Sequence, residues 1–124
     1  MFDFLKKKSR ILQKDMIKPQ KDPFPDYEEV SKLTIIDIRD EEDIEYYGKY
    51  LNSIHIPFDE YFASKLLMLD KNKQYGIMDL RGDLVKKAEE IAKKVGLNAK
   101  ALRGGFFYIS EVLNYKPEMR EEKF

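Results

Sequence analysis

The 124 residues contain no cysteine and one histidine, His55. The first absence excludes disulfides, thiolate metal sites and thiol nucleophiles; the second excludes a multi-histidine metal centre. No apolar run approaches the length that spans a bilayer, and the start, "MFDFLKKKSR", lacks the apolar core of a signal peptide. The expectation is a cytoplasmic protein without a transmembrane segment. Asn and Gln are few while Lys and Glu are abundant, a composition seen in thermophilic proteins.

What is present fits one domain with a modest core: 43% of residues are hydrophobic and 37% charged. Net charge is zero but unevenly spread. Residues 1–21 hold seven Lys/Arg against two Asp/Glu, residues 22–62 three against twelve, and residues 63–124 thirteen against nine. No basic stripe interleaves with stacking aromatics, so nucleic acid is not an expected partner.

Residues 1–25 read as a basic leader ending in the proline-rich "KPQKDPFP". Phe2, Phe4, Leu5, Ile11, Leu12, Met16 and Ile17 could share one face of an amphipathic helix; a frayed or docked arm is the simpler reading. Residues 26–116 form the expected domain and 117–124 a polar tail. Within the domain, "LTIIDI" (33–38) is a β-branched run suited to a buried parallel strand. "EEDIEYYG" (41–48) reads as a short helix closed by Gly48, "SIHIP" (53–57) as a strand, and "DEYFASKLLML" (59–69) as a helix with Asp59 as N-cap. Strand 74–79, helix 83–95 closed by Gly96, strand 98–102 and helix 104–113 complete the pattern. In the helix from residue 83, Leu84, Ala88, Ile91, Ala92 and Val95 recur at helical spacing. Alternating strands and helices predict a small parallel sheet with helices on both faces.

The stretch "QYGIMDLRGDLVKKAEEIAKKVG" (74–96) places a short Gly-containing turn between a strand and a helix amino terminus. That layout suits holding an anion, yet the turn carries two carboxylates, Asp79 and Asp83.

In this order the pieces resemble a rhodanese-homology domain, in register over roughly residues 26–113. "IIDIRDEEDIEYYGKYLNSIHIP" is similar to the family's opening. "YGIMDLRGDLVKKAEEIAKKVGLNAKALRGGFFYI" is similar to its catalytic strand, loop, helix, strand and Gly-Gly turn. The resemblance implies a rhodanese-like three-layer α/β sandwich. In active members the loop begins with a cysteine that carries a persulfide. Here Asp79 takes that position, followed by Leu80, Arg81, Gly82, Asp83 and Leu84. The family's histidine becomes Lys49, its "Ile-Pro-Gly" becomes Tyr50-Leu51-Asn52, and the aromatic after the double glycine becomes Ile109.

A carboxylate cannot form a persulfide, which needs a soft thiolate. Asp79 would also repel an anion: at 4 Å and an effective dielectric near 20, two unit charges interact by about 4 kcal/mol, comparable to a millimolar binding energy. The expectation is a degenerate loop whose N–H groups are filled by the Asp79 carboxylate, with no catalytic, cofactor-binding or metal-binding residues. The protein would be a binding or regulatory module, its partner a protein or small molecule. One alternative is a metal-assisted phosphoryl-group enzyme using Asp79 and Asp83, with Asp37 as a further ligand. Another is a tethering protein acting through the leader.

Simpler roles are also expected for single residues. Asp83 would cap the following helix, and Arg81 would pair with Asp79 or Asp83. Asp37 and Arg39 would form an ion pair, and His55 would be packed or hydrogen-bonded. Most of Tyr46, Tyr47, Tyr50, Tyr61, Phe62, Phe106, Phe107 and Tyr108 would be core, any exposed ones forming a partner patch.

Overall fold

The computed structural model describes residues 23–116; the leader's amphipathic face and the polar tail lie outside them. Four short strands form the sheet: β1 (Thr34–Asp37), β2 (Ile54–His55), β3 (Gln74–Met78) and β4 (Asn98–Ala101). All pairings are parallel, in the order β2-β1-β3-β4, with Ile36 opposite both Ile54 and Ile77. The helices are α1 (Tyr27–Ser31), α2 (Glu41–Tyr47), α3 (Phe62–Leu66), α4 (Val85–Lys94) and α5 (Gly105–Phe107), the last running into a π-helical segment, Tyr108–Val112.

Strand alternation sorts the core into two layers. Ile36 and Ile77 point to one face, where Phe62, Leu66, Val85, Ala88 and Ala92 cover them. Ile35 and Met78 point to the other, against Val30, Tyr50, Phe106 and Ile109. A buried parallel sheet between two helical layers is the expected three-layer sandwich.

Several boundaries differ from the sequence reading. Helix α1 was not anticipated, although Asp26 accepts a capping hydrogen bond from the Glu29 N–H at 2.8 Å. The helix expected over 59–69 is confined to Phe62–Leu66. Asp59 does not cap it: its carboxylate accepts from the Tyr61 N–H at 2.9 Å, and Tyr61, two residues on, is the N-cap residue. After Leu66 the backbone tightens into three-residue hydrogen bonds through Leu69. The helix expected over 104–113 widens to π geometry after Phe107, with the Leu113 N–H donating to the Tyr108 carbonyl. Among the described residues no helix is long and apolar enough to cross a membrane.

Candidate functional site

The carboxyl ends of β1 and β3 lie side by side, where ligands bind in open parallel sheets. Asp37 closes β1, and Asp79 follows β3 directly. Asp79 is 4% exposed and turns back under its own loop. Its Oδ1 accepts from the Gly82 N–H at 2.6 Å and its Oδ2 from the Leu84 N–H at 2.7 Å. These short, charge-assisted bonds bring both carboxylate oxygens and two loop donors into one closed ring. The Asp79 carboxylate therefore occupies the place that the strand–turn–helix layout reserves for an anion.

The turn after β4 holds this loop from above. The Phe106 N–H donates to the Asp79 carbonyl at 2.7 Å and the Phe107 N–H to the Leu80 carbonyl at 3.2 Å. Backbones this close leave no room for side chains. A Cβ on Gly105 would sit 2.6 Å from the Leu80 carbonyl carbon, and one on Gly82 (φ +98°) 2.8 Å from the Gly104 nitrogen. Gly82 and Gly105 are thus packing requirements of the loop, whereas a Cβ on Gly104 would meet Tyr108.

Asp83 does not cap α4. Leu84 is the N-cap residue, with no side-chain capping bond, and Asp83 is exposed. Asp79 takes the Leu84 N–H, and the helix opens one residue later than expected, with the Ala88 N–H donating to the Leu84 carbonyl at 3.1 Å. Nor does Arg81 pair with Asp79 or Asp83. Its guanidinium lies 5.2 Å from the centre of the Phe107 ring, where cation–π attraction replaces an ion pair.

Beneath the loop, Arg39 and Asp37 form a two-pronged ion pair with neither side chain exposed. Arg39 also donates to the Gly48 carbonyl at 2.9 Å, tying the end of α2 to the sheet, and lies 4.2 Å over the Phe106 ring. His55 is hydrogen-bonded: its Nε2 is 2.8 Å from the Arg39 carbonyl oxygen. Asp37 is consequently unavailable as a metal ligand beside Asp79. Among the described residues, no three His, Asp or Glu converge as a metal site.

Burial of Glu89 was not anticipated. Glu89, on the α4 face turned to the sheet, accepts from the Ala101 N–H of the edge strand at 3.0 Å and from Lys86 Nζ at 2.8 Å. Burial would raise its pKa, but these bonds and the nearby Lys86 and Lys93 charges lower it overall. Tyr50 is buried and hydrogen-bonded to Ser110; desolvation pushes its hydroxyl pKa well up despite that bond. A glutamate within a charged helical pattern gives no sequence signal of burial.

Of the eight aromatics expected mainly in the core, Tyr50, Phe62 and Phe106 are buried. Tyr46 is 81% exposed and Tyr61 57%. Tyr47 touches Phe106 and Phe107 and stands edge-on to Tyr46, so an aromatic ledge runs from α2 to α5. Between the loop, the start of α2 and residues 57–59 opens a hollow of about 630 Å³ lined by Phe58, Leu80, Leu84 and a rim of aspartates.

A small parallel α/β sandwich, with a loop of inward N–H groups at the carboxyl edge and a Gly-Gly turn packed on it, defines the class. Solved structures identify it as the rhodanese-like fold. A rhodanese-related protein from Thermoplasma volcanium is 28% identical, with a TM-score of 0.60 over 73% of this chain and 87% of that one. A rhodanese-like domain protein from Staphylococcus aureus is 20% identical, with a TM-score of 0.59 over 90% and 92%. A protein from Staphylococcus saprophyticus is 16% identical, with a TM-score of 0.62 over 79% and 98%. No protein-family model matches the chain, and no curated protein matches it.

Proposed function

We propose that this rhodanese-like domain does not transfer sulfur and serves as a binding or regulatory module through the face around residues 79–84. The observation that carries the reading is the Asp79 carboxylate on the Gly82 and Leu84 N–H groups. A thiosulfate or phosphate arriving there would meet a fixed negative charge and donors already in use. Persulfide chemistry needs a thiolate, and these 124 residues hold no sulfur nucleophile of that kind. The exposed tyrosines and the lined hollow beside the loop are the features expected of a contact surface.

The test is thiocyanate formation from thiosulfate and cyanide. The expected result is a rate no higher than that of heat-denatured protein. Turnover well above that control, proportional to protein concentration, would overturn the reading.

A further inference from the structure

The face beside the loop has the wrong charge for an anion and the right one for a basic segment. Asp40, Asp43, Asp59 and Asp83 rim the hollow, while Phe58 and Leu84 supply apolar surface. Arg39 is paired with Asp37 and Arg81 lies over Phe107; burial and Asp40 push the Asp43 pKa up more than Arg39 draws it down. Among the described residues no Lys or Arg forms an ion pair with any of the four rim aspartates. The pKa of Asp43 is raised, first by burial and then by the neighbouring Asp40 charge.

The chain carries a complement to this face. Residues 1–21 hold seven Lys/Arg against two Asp/Glu, interleaved with Phe2, Phe4, Leu5, Ile11 and Leu12. They lie outside the described residues, and the point where the described chain begins is next to the loop. The Phe24 ring lies on Tyr108, centroids 4.6 Å apart, with the Arg103 guanidinium 4.4 Å from the Phe24 centroid. A Cβ on Gly104 would be 3.3 Å from the Phe24 ring, and Gly104 is itself the backbone neighbour of Gly82. A segment anchored there, at ~3.3–3.6 Å per extended residue, has far more reach than the hollow requires. Tethering also holds it at an effective concentration on the order of millimolar, so individually weak contacts suffice.

We propose that residues 1–21 dock in the same chain on the face formed by the 79–84 loop, the rim aspartates and the hollow. This rests on reading that face as a binding site, and it names the ligand class: a basic segment with interspersed apolar residues. A basic partner would have to displace the chain's own segment.

The absence of cysteine makes the test direct. Ser9→Cys in the full chain provides a unique attachment point for a nitroxide, and paramagnetic broadening of amide resonances reports what lies near it. The expected result is selective broadening at Leu80–Asp83 and at Tyr46–Tyr47, with Gln74 and Asn98 at the opposite end of the sheet spared. Neutralising the rim with Asp43→Asn and Asp83→Asn, neither of which caps a helix, should cut the broadening at least twofold, as should high salt. Uniform broadening, broadening centred elsewhere, or broadening unchanged by neutralisation would overturn the proposal. So would equal broadening in a mixture of nitroxide-labelled chains and isotope-labelled, nitroxide-free chains, which would make the occupant a second copy. The thiocyanate assay reads independently: no sulfur transfer together with no selective broadening overturns the docking and leaves the parent reading standing.

Discussion

Asp37 and Arg39 are two residues apart and face each other through parallel hydrogen bonds, 2.9 Å from Nε to Oδ1 and 2.7 Å from Nη2 to Oδ2. Both side chains are fully buried. Removing one partner strands the other charge without water, a loss of about 3–5 kcal/mol. Domains of this kind are held by roughly 5–15 kcal/mol, so Arg39→Ala should come close to unfolding the protein. Chemical denaturation should show a midpoint far below wild type. A change under about 1 kcal/mol would mean that the pair is not desolvated as described.

The filled loop predicts an anion response that depends on Asp79. Replacing Asp79 by Ser or Gly leaves the Gly82 and Leu84 donors without their acceptor, at a cost of about 1–3 kcal/mol. The variant should recover part of that loss in phosphate, by mass action, while wild type gains little. Chloride at matched ionic strength removes the general stabilisation by phosphate. The quantity to compare is the difference in melting shift between variant and wild type; equal shifts would sink the filled-loop account.

Glu89 and Asp43 should give opposite pH signatures. Glu89 has its pKa lowered in the fold from 4.5, so its contribution is complete above that value and is lost as pH falls through the folded one. Glu89→Gln should therefore lower the melting temperature at pH 7 by the equivalent of about 1 kcal/mol, with the gap closing in acid. Asp43 has its pKa raised from 3.8, so its charged form opposes folding at neutral pH. Asp43→Asn should raise the melting temperature slightly at pH 7, and the gain should vanish below the ordinary carboxylate range. Parallel pH dependence in the two variants would contradict these assignments.

Residues 1–25 are proposed to lie outside the folding unit, yet Phe24 packs on Tyr108 and Pro25 is buried. Deleting residues 1–22 should preserve cooperative unfolding with little loss of stability. Deleting 1–25 should cost more, by roughly 1 kcal/mol for the lost aromatic contact and buried surface. If the shorter deletion abolishes a cooperative transition, the leader is part of the core.

Local patterns made the layers legible. The β-branched run at 33–38, the apolar spacing of the helix from residue 83 and the order of strands and helices suffice for a parallel three-layer sandwich, because burial of alternating and helical faces is written in periodicity. The absence of cysteine alone excluded thiol chemistry. Asp79 facing inward was expected from the family resemblance, which puts it at the head of a loop whose N–H groups point inward. What depends on which neighbours arrive could not be read along the chain. Asp83 has no capping role because the helix opens at Leu84, one residue later, and leaves Asp83 exposed. Arg81 found the Phe107 ring instead of a carboxylate. Glu89 became buried because the edge strand offered it the Ala101 N–H. Tyr46 stayed exposed because helix α2 buries no residue fully. The Arg81–Phe107 and Glu89–Ala101 contacts join separate elements, at distances that only tertiary packing sets.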